Sequence, residues 1–308
     1  MKLRKISAIA ALTLSAGLFL GACGSDDSAS GDKVKKDEAK VENTTTNKEE
    51  TTKKLLAGAP LQDGTYTLSE KELDKNGWKV NFSITVKDGK ITESNYDYVN
   101  ADGAKKSEDE NYQKMMSDKT GVGPKEFVPA LNNALIEKQD ASQVEVVTGA
   151  THSAESFINY AQQLIQAAQK GDTTPIEIDA QAALKDGEYK LAEKNIGSTG
   201  WKTYINMTVK DGKISEVDYN YVNAEGQLKT DDEDYQKTMT EKSGVGPQDF
   251  VPALSNDLVE KQSAGDVAVV TGATHSSHSF KMYAAQLINA AQKGNTTPIE
   301  VDNFVFEK

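Results

Sequence analysis

The sequence is poor in the residues that most often bind transition metals. Its 308 residues include one cysteine, Cys23, and three histidines, His152, His275 and His278. A single cysteine excludes an intramolecular disulfide and a Cys-x-x-Cys-His haem attachment sequence, and the lipidation of Cys23 predicted below would also exclude a cysteine-ligated metal site. His275 and His278 could share a metal on one helical turn, but two ligands are incomplete for zinc. No metal site is therefore expected.

Positive charge and long apolar runs are also scarce. The formal net charge is −12, with 47 acidic against 35 basic residues. A surface of this sign repels nucleic acid and anionic lipid headgroups, so neither is an expected partner of the folded part. The apolar stretch at residues 6–20 is too short to span a membrane comfortably.

The N-terminus predicts an export signal. Three of the first five residues are basic, the apolar stretch follows, and Leu20-Gly21-Ala22-Cys23 resembles a lipobox. In such signals the cysteine is diacylated and the peptide before it is removed. Residues 1–22 are therefore predicted to be a lipoprotein signal peptide, and Cys23 a lipid anchor on the outer face of a Gram-positive cell membrane. An ordinary secretory signal with an incidental cysteine is the alternative.

Residues 23–60 are predicted to be a disordered linker. After Cys23 the segment is dominated by Ser, Asp, Lys, Glu and Thr and has almost no large apolar residue. Such a composition cannot bury enough surface to offset chain entropy. A flexible chain of this length spans roughly 35 Å and would tether the folded part to the membrane.

The rest of the chain is an internal repeat with a constant offset of 123 residues and no gap. The matched segments include Asp63–Tyr66 with Asp186–Tyr189, Gly77-Trp78 with Gly200-Trp201, Thr85–Ile91 with Thr208–Ile214, and Gly121–Pro124 with Gly244–Pro247. A period this long indicates duplicated globular domains, since stacked short repeats have periods of roughly 20–50 residues. Two tandem domains are predicted, at residues 61–178 and 184–301.

Each domain is predicted to be α+β, with an antiparallel sheet and packed helices. Apolar and polar residues alternate from Trp78 to Lys87, which is typical of a half-buried strand, and Asp88-Gly89 predicts a type I′ hairpin turn. The remaining predicted elements of the first copy are a first strand at Tyr66–Leu68, a strand at 90–99, helices near 109–118 and 129–138, a short strand at Val144–Val147, and an amphipathic helix ending at Lys170-Gly171.

One repeated segment has the chemistry of an anion site. Thr148-Gly149-Ala150-Thr151-His152-Ser153 recurs as Thr271-Gly272-Ala273-Thr274-His275-Ser276, each time just before a predicted helix. Small residues allow close backbone approach, and the start of a helix offers free N–H groups and a positive dipole end, which together favour phosphate. Thr151 places a hydroxyl beside that position. A plain helix-capping turn is the alternative.

At this segment the chain resembles the FMN-binding domain family, which includes flavin subunits of sodium-pumping quinone reductases and Rnf complexes. Members carry an Asp-x-x-Ser/Thr-Gly-Ala-Thr motif, and a flavin transferase that uses FAD joins FMN to its last threonine. The resemblance implies two FMN groups bound through phosphodiester bonds to Thr151 and Thr274. It also implies cofactor contacts from neighbouring residues, namely Thr148, Gly149, Ala150 and His152, and Thr271, Gly272, Ala273 and His275.

The sequence departs from the family motif at its acidic position. That residue is Glu145 in the first copy and Ala268 in the second. If the transferase needs the carboxylate, modification of Thr274 is in question. Asp266 lies two residues earlier and could substitute for it.

Two other features could contact a flavin. The Gly121-Val122-Gly123-Pro124 loop could let the backbone approach the isoalloxazine ring, or it could be an ordinary loop before a helix. Four strand tyrosines could stack on the ring or pack within the domain, namely Tyr96, Tyr98, Tyr219 and Tyr221.

Together these features favour an electron-transfer flavoprotein over an enzyme, although reduction of a terminal ferric acceptor is compatible with them. The expected donor is a membrane quinone or an electron-transfer protein, and the expected acceptor is extracellular, such as ferric iron. The competing hypothesis is a non-redox ligand-binding or scaffold lipoprotein. Its signal peptide could in either case be a source of a peptide pheromone.

Overall fold

The computed structural model describes residues 53–308, so the predicted signal peptide, Cys23 and most of the predicted linker lie outside the described residues. A short strand, β1 (Leu55–Ala57), comes first. The first copy then contains β2 (Gly64–Glu70), β3 (Lys79–Lys87), β4 (Lys90–Val99), α1 (Glu110–Thr120), α2 (Pro124–Lys138), α3 (Thr151–Lys170) and β5 (Ile176–Ile178).

The second copy repeats these elements at the same offset. It contains β6 (Gly187–Glu193), β7 (Lys202–Lys210), β8 (Lys213–Val222), α4 (Glu233–Ser243), α5 (Pro247–Lys261), α6 (Thr274–Lys293) and β9 (Ile299–Val301), and β10 (Val305–Phe306) follows. Each copy has one four-stranded sheet, ordered β4-β3-β2-β5 and β8-β7-β6-β9. The prediction of two tandem α+β copies is confirmed.

The predicted hairpin forms because its pattern and its turn agree. In β3 the alternate residues Val80, Phe82, Ile84 and Val86 are buried. The turn residue Asp88 has φ 53° and Gly89 has φ 70°, the left-handed pair that a type I′ turn requires. β4 then pairs antiparallel with β3.

The long helix α3 covers the buried face of the first sheet. The ring of Phe157 on this helix stacks on Phe82, with ring centroids 5.0 Å apart. It also meets Tyr96 in an edge-on arrangement, with centroids 5.1 Å apart. The helix ends where expected, at Gly171 with φ 67°. None of the helices within residues 53–308 combines the length and the apolar character needed to cross a bilayer.

The predicted strand at Val144–Val147 is wrong. These residues follow a single turn of 3-10 helix at Ala141–Gln143 and pair with no strand of the described chain. The place beside β2 is occupied instead by β5, which pairs with it in parallel. An apolar run therefore faces the core without joining the sheet, and the sheet is antiparallel except at this last strand.

Helix α2 begins at Pro124, earlier than the predicted start near Pro129. Proline is favoured at the first helical position, and the Glu126 Oε2 carboxylate accepts a hydrogen bond from the Gly123 N–H at 2.8 Å. This capping interaction sets the start, so Pro129 lies inside the helix.

The predicted disordered linker also ends before residue 60. β1 pairs antiparallel with β10 at the end of the chain, with Leu55 opposite Phe306. The backbone of Lys54 accepts a further hydrogen bond from Glu307 at 2.9 Å. The two ends of the described chain thus pair with each other through β1 and β10. The polar composition of the linker does not predict this pairing.

The two copies pack through α3 and α6, which run in the same direction. Near the helix starts, Glu155 contacts Lys281 at 2.5 Å. Farther along, Gln163 donates to Asn289 at 3.2 Å, and Gln166 and Gln286 exchange hydrogen bonds. Since Gln163 and Gln286 are equivalent positions, as are Gln166 and Asn289, the copies are related by a pseudo-two-fold axis along the helix pair. The starts of both helices consequently lie at the same end of the molecule.

Candidate functional site

Each long helix begins directly after the Thr-Gly-Ala turn. The Ala150 N–H donates to the Val147 carbonyl at 2.9 Å, and Gly149 has φ 85°, a conformation that favours glycine. Gly272 repeats this geometry with φ 86°. No side chain of residues 53–308 caps either helix start, so the first-turn N–H groups and the positive dipole end are available to a ligand.

The two threonines expected to carry FMN lie at these helix starts. Thr151 and Thr274 are each the first helical residue, and both are exposed. Ala150 and Ala273 are buried and anchor the turns to the cores. An exposed hydroxyl therefore stands beside an uncapped helix N-terminus, which is an arrangement suited to a phosphate ester.

The glycine loop before α2 packs against the Thr148-Gly149-Ala150 turn. A β-carbon on Gly149 would lie 2.6 Å from the Thr120 carbonyl oxygen and 2.8 Å from Val122 Cγ1. The space beside Gly123 is filled by the side-chain amide of Gln113. The loop thus packs against the turn before Thr151 and against Gln113.

A lysine surrounded by aromatic rings lies next to the turn in the first copy. The Tyr98 hydroxyl donates to Ser153 Oγ at 3.0 Å, two residues beyond Thr151. The ammonium of Lys106 lies 3.8 Å from the centroid of the Tyr98 ring, 4.6 Å from that of Tyr112 and 5.3 Å from that of Trp78. We call the lysine and its three rings the lysine cage.

The second copy contains the same lysine cage beside an open cleft. Lys229 lies 4.3 Å from the centroids of Tyr221 and Tyr235 and 5.7 Å from that of Trp201. All four line a cleft of about 460 Å³, together with the motif residues His275 and Ser276. A planar aromatic ligand could therefore reach from the helix start into the cage.

Burial changes the acid–base behaviour of the cage. Removal from solvent lowers the pKa of the Lys106 ammonium to about 8 and does the same for Lys229. It also raises the pKa of the hydroxyls of Tyr98 and Tyr221 to about 12. At neutral pH the lysines remain cationic and the tyrosines remain neutral hydrogen-bond donors.

The four strand tyrosines separate into two pairs. Tyr96 and Tyr219 are buried against Phe157 and Phe280, so they pack within the cores. Only Tyr98 and Tyr221 belong to the cages. The sequence interpretation missed the lysines and the remaining cage rings, although each recurs at the common offset, namely Trp78, Lys106 and Tyr112 with Trp201, Lys229 and Tyr235.

The three histidines do not form one site. His275 lines the cleft, whereas His152 and His278 line a cavity of about 260 Å³ between the two copies. Burial and the nearby Lys281 lower the pKa of His278. Among residues 53–308 there is no group of three or more histidine, cysteine or carboxylate side chains that could hold a metal.

The acidic position of the motif differs between the copies in an informative way. Glu145 is exposed in the first copy. In the second, the N–H of Ala268 donates to Asp257 Oδ2 at 2.6 Å, so a carboxylate from α5 lies where the alanine has none. The residue equivalent to Asp257 in the first copy is Ala134. Asp266, which sequence analysis named as a residue that could substitute, is exposed two residues before this position.

Comparison with known proteins identifies a family that matches both copies. The family model described as FMN-binding domain matches residues 76–166 and 200–289. A 15 kDa lipoprotein of Treponema pallidum is 37% identical over 116 residues, which are 38% of this chain and 82% of that protein.

Two solved structures are similar to parts of the chain. A crystal structure of a Clostridium perfringens protein has 42% identity and a TM-score of 0.37, covering 39% of this chain and 98% of that one. A solution structure from Clostridium thermocellum has 26% identity and a TM-score of 0.24, covering 35% of this chain and 92% of that one.

Since the family model spans more than half of the sequence, the chain belongs to the FMN-binding domain family and contains its domain twice.

Proposed function

We propose that this protein is a membrane-anchored carrier of two FMN groups, joined through phosphate to Thr151 and Thr274. It relays electrons from a membrane quinone or dehydrogenase chain to an extracellular acceptor such as ferric iron. The observation that supports this most directly is the exposed threonine hydroxyl at an uncapped helix N-terminus, present in both copies of a flavin-binding domain.

The residues present fit FMN at both of its ends. The first-turn N–H groups of α3 and α6 and their dipoles suit the phosphate. The cleft beside Thr274 offers aromatic faces and a cation to the ring system, and its volume of about 460 Å³ accommodates a ligand of that size. Bound FMN would supply reversible uptake of one or two electrons.

The packing of the copies supports a relay. Because α3 and α6 run in the same direction, Thr151 and Thr274 lie at the same end of the molecule. His152 also approaches the other copy, where a β-carbon on Gly265 would be 3.4 Å from its Nδ1. Two cofactors attached at these threonines would therefore lie at the same end of the molecule, which favours access of both to a single partner.

Covalent attachment suits a carrier outside the cell. A dissociated cofactor would be lost to dilute surroundings, because binding by mass action needs free ligand. A separate flavin transferase is the partner that makes the bond. The lipoprotein relative is consistent with an anchor at Cys23, and the linker would let the domains move between a membrane donor and distant acceptors.

Replacing either threonine is expected to remove one flavin. The chain, carrying Cys23→Ser to prevent lipid attachment, is co-expressed with a flavin transferase and its intact mass and absorption spectrum are measured. Two FMN-sized increments are expected for the parent, one each for Thr151→Val and Thr274→Val, and none for the double variant. Thr173→Val is the matched control, since this exposed threonine follows the C-terminal end of α3, far from the turn, and should leave both increments. A colourless parent would instead favour the non-redox binding lipoprotein.

The carboxylate of Asp257 is expected to compensate for Ala268. Asp257→Ala should slow FMN attachment at Thr274 severalfold and leave attachment at Thr151 unaffected. The reason is that the acidic position of the motif is Glu145 in the first copy but Ala268 in the second, where Asp257 supplies the carboxylate. Time-resolved intact mass with purified transferase measures both sites in one molecule. The matched test in the first copy is Glu145→Ala, which should slow Thr151, and the addition of Ala134→Asp, which should restore it. Unchanged kinetics in Asp257→Ala would contradict this role.

A further inference from the structure

Each copy buries a lysine whose ammonium donates no hydrogen bond to any residue of the described range 53–308. Lys106 is 5% exposed and Lys229 is 6% exposed, and each begins a single turn of 3-10 helix after a long strand. No acceptor among residues 53–308 receives a hydrogen bond from either Nζ atom. Burying an ammonium without a hydrogen-bonded partner is costly, so an arrangement retained in both copies needs an explanation.

The surroundings hold the charge without using its N–H donors. Three rings face each ammonium, and cation–π attraction to aromatic faces offsets part of the desolvation. The carboxylates that act on Lys229 are Asp232 and Glu193, neither within hydrogen-bond distance. Those acting on the first-copy lysine are Asp74, Asp97 and Glu70. The donors of the ammonium consequently remain available to a ligand.

The cage opens toward the proposed attachment site. Lys229 lines the cleft that also contains His275 and Ser276, the two residues after Thr274. In the first copy Tyr98 connects the cage to the motif turn, since its hydroxyl donates to Ser153 and the Lys106 ammonium lies over its ring. A ligand tethered at either threonine would thus lie beside a fixed positive charge.

We propose that Lys229, and Lys106 in the first copy, bind the ring system of the attached flavin and raise its midpoint potential. This inference rests on the proposed function. Reduction adds electrons and negative charge to the ring, and a nearby cation in a low-dielectric setting stabilises that charge more than it stabilises the oxidised form. The lysine cage therefore makes each flavin a better electron acceptor, and a difference between cages would give the two flavins different potentials.

The test isolates one flavin and measures its potential. In the Thr151→Val background only the second copy carries FMN, and Lys229→Met removes the charge while keeping most of the side-chain volume. The equilibrium between oxidised and reduced flavin is expected to shift at least tenfold toward the oxidised form, about 30 mV for a two-electron couple. Lys229→Arg should retain most of the parent potential. A Lys229→Met protein with bound FMN and an unchanged potential at pH 7 would overturn the inference.

The effect also has an expected pH dependence. Because the ammonium has a pKa of about 8, the difference in potential between the parent and Lys229→Met should begin to shrink above pH 8 as the lysine loses its proton. The other titratable groups facing it, Tyr221, Tyr235, Asp232 and Glu193, are present in both proteins and cancel in the comparison. A difference that stays constant to pH 10 would count against the lysine charge.

The first copy provides an independent repetition. Lys106→Met in the Thr274→Val background should lower the potential of the remaining flavin in the same direction, so the inference stays testable if Lys229→Met fails to fold. Absence of flavin from both parent backgrounds would defeat the proposed function itself. Flavin that is present but insensitive to both lysines would defeat only the inference drawn from the cages.

Discussion

Gly149→Ala is expected to lower the free energy of unfolding by about 3 kcal/mol, because the substitution adds steric overlap to backbone strain. Gly149 has φ 85°, which L-residues with a β-carbon rarely adopt. The added carbon would also meet the Thr120 carbonyl oxygen at 2.6 Å and Val122 Cγ1 at 2.8 Å. Either the loop before α2 or the turn before Thr151 must move.

Gly121→Ala is the matched control for this substitution. Gly121 has a similar φ of 81°, but a β-carbon built there would meet no atom within 4 Å from the described residues beyond its own chain neighbours. Strain alone should cost about 1 kcal/mol. Chemical denaturation of the two variants therefore separates the close approach from the conformational cost, and equal losses would mean that the contact beneath the turn is not tight. Displacement of the turn should also reduce flavin attachment at Thr151 in the Gly149 variant alone.

Lys281→Met is expected to cost about 2 kcal/mol of unfolding free energy, since it leaves the half-buried carboxylate of Glu155 without its nearest cation. The two side chains are 9% and 18% exposed and 2.5 Å apart, with Lys281 also donating to the Gly265 carbonyl at 3.1 Å. The Oε2 atom of Glu155 accepts no hydrogen bond from any residue of the described chain. Lys281 is the nearest cation to this carboxylate, and the His152 Nδ1 atom lies 4.0 Å from Oε2.

The other side of the pseudo-two-fold axis offers the matched control. The positions equivalent to Glu155 and Lys281 hold His278 and Ile158. The double variant Glu155→His, Lys281→Ile copies that side and removes both charges, so it should be more stable than Lys281→Met alone. The comparison uses chemical denaturation at neutral pH. A double variant that is no more stable than the single one would show that packing at Lys281, and not its charge, holds the copies together.

Local patterns were sufficient for much of the fold and for the motif turns. The alternation in β3, the Asp88-Gly89 turn and the amphipathic pattern of α3 are each set by neighbouring residues, so the sequence predicts them. The apolar run at Val144–Val147 is compatible with a strand by its local pattern, but the edge of β2 is occupied by β5. β5 itself is three residues long, which is too short for a periodic pattern to appear.

The lysine cages and Asp257 could not be predicted for a different reason. The cage residues come from four different elements, and only the fold brings them together: Trp78 directly precedes β3, Tyr98 lies in β4, Lys106 begins a 3-10 turn and Tyr112 lies in α1. Asp257 likewise reaches Ala268 from another helix. Local sequence can identify a backbone site at a helix start, but it does not identify side chains that tertiary packing delivers to it.

The shared helix contact is, in symmetry terms, an isologous interface held within one polypeptide. In a dimer of identical chains, any substitution at such an interface appears twice, so neither side can change alone. When both copies belong to one polypeptide, each side of the axis can change separately. Here an ion pair lies on one side of the axis, while isoleucine and histidine lie on the other. Two cofactor sites built from one ancestral design can thereby acquire separate properties while remaining fixed to each other.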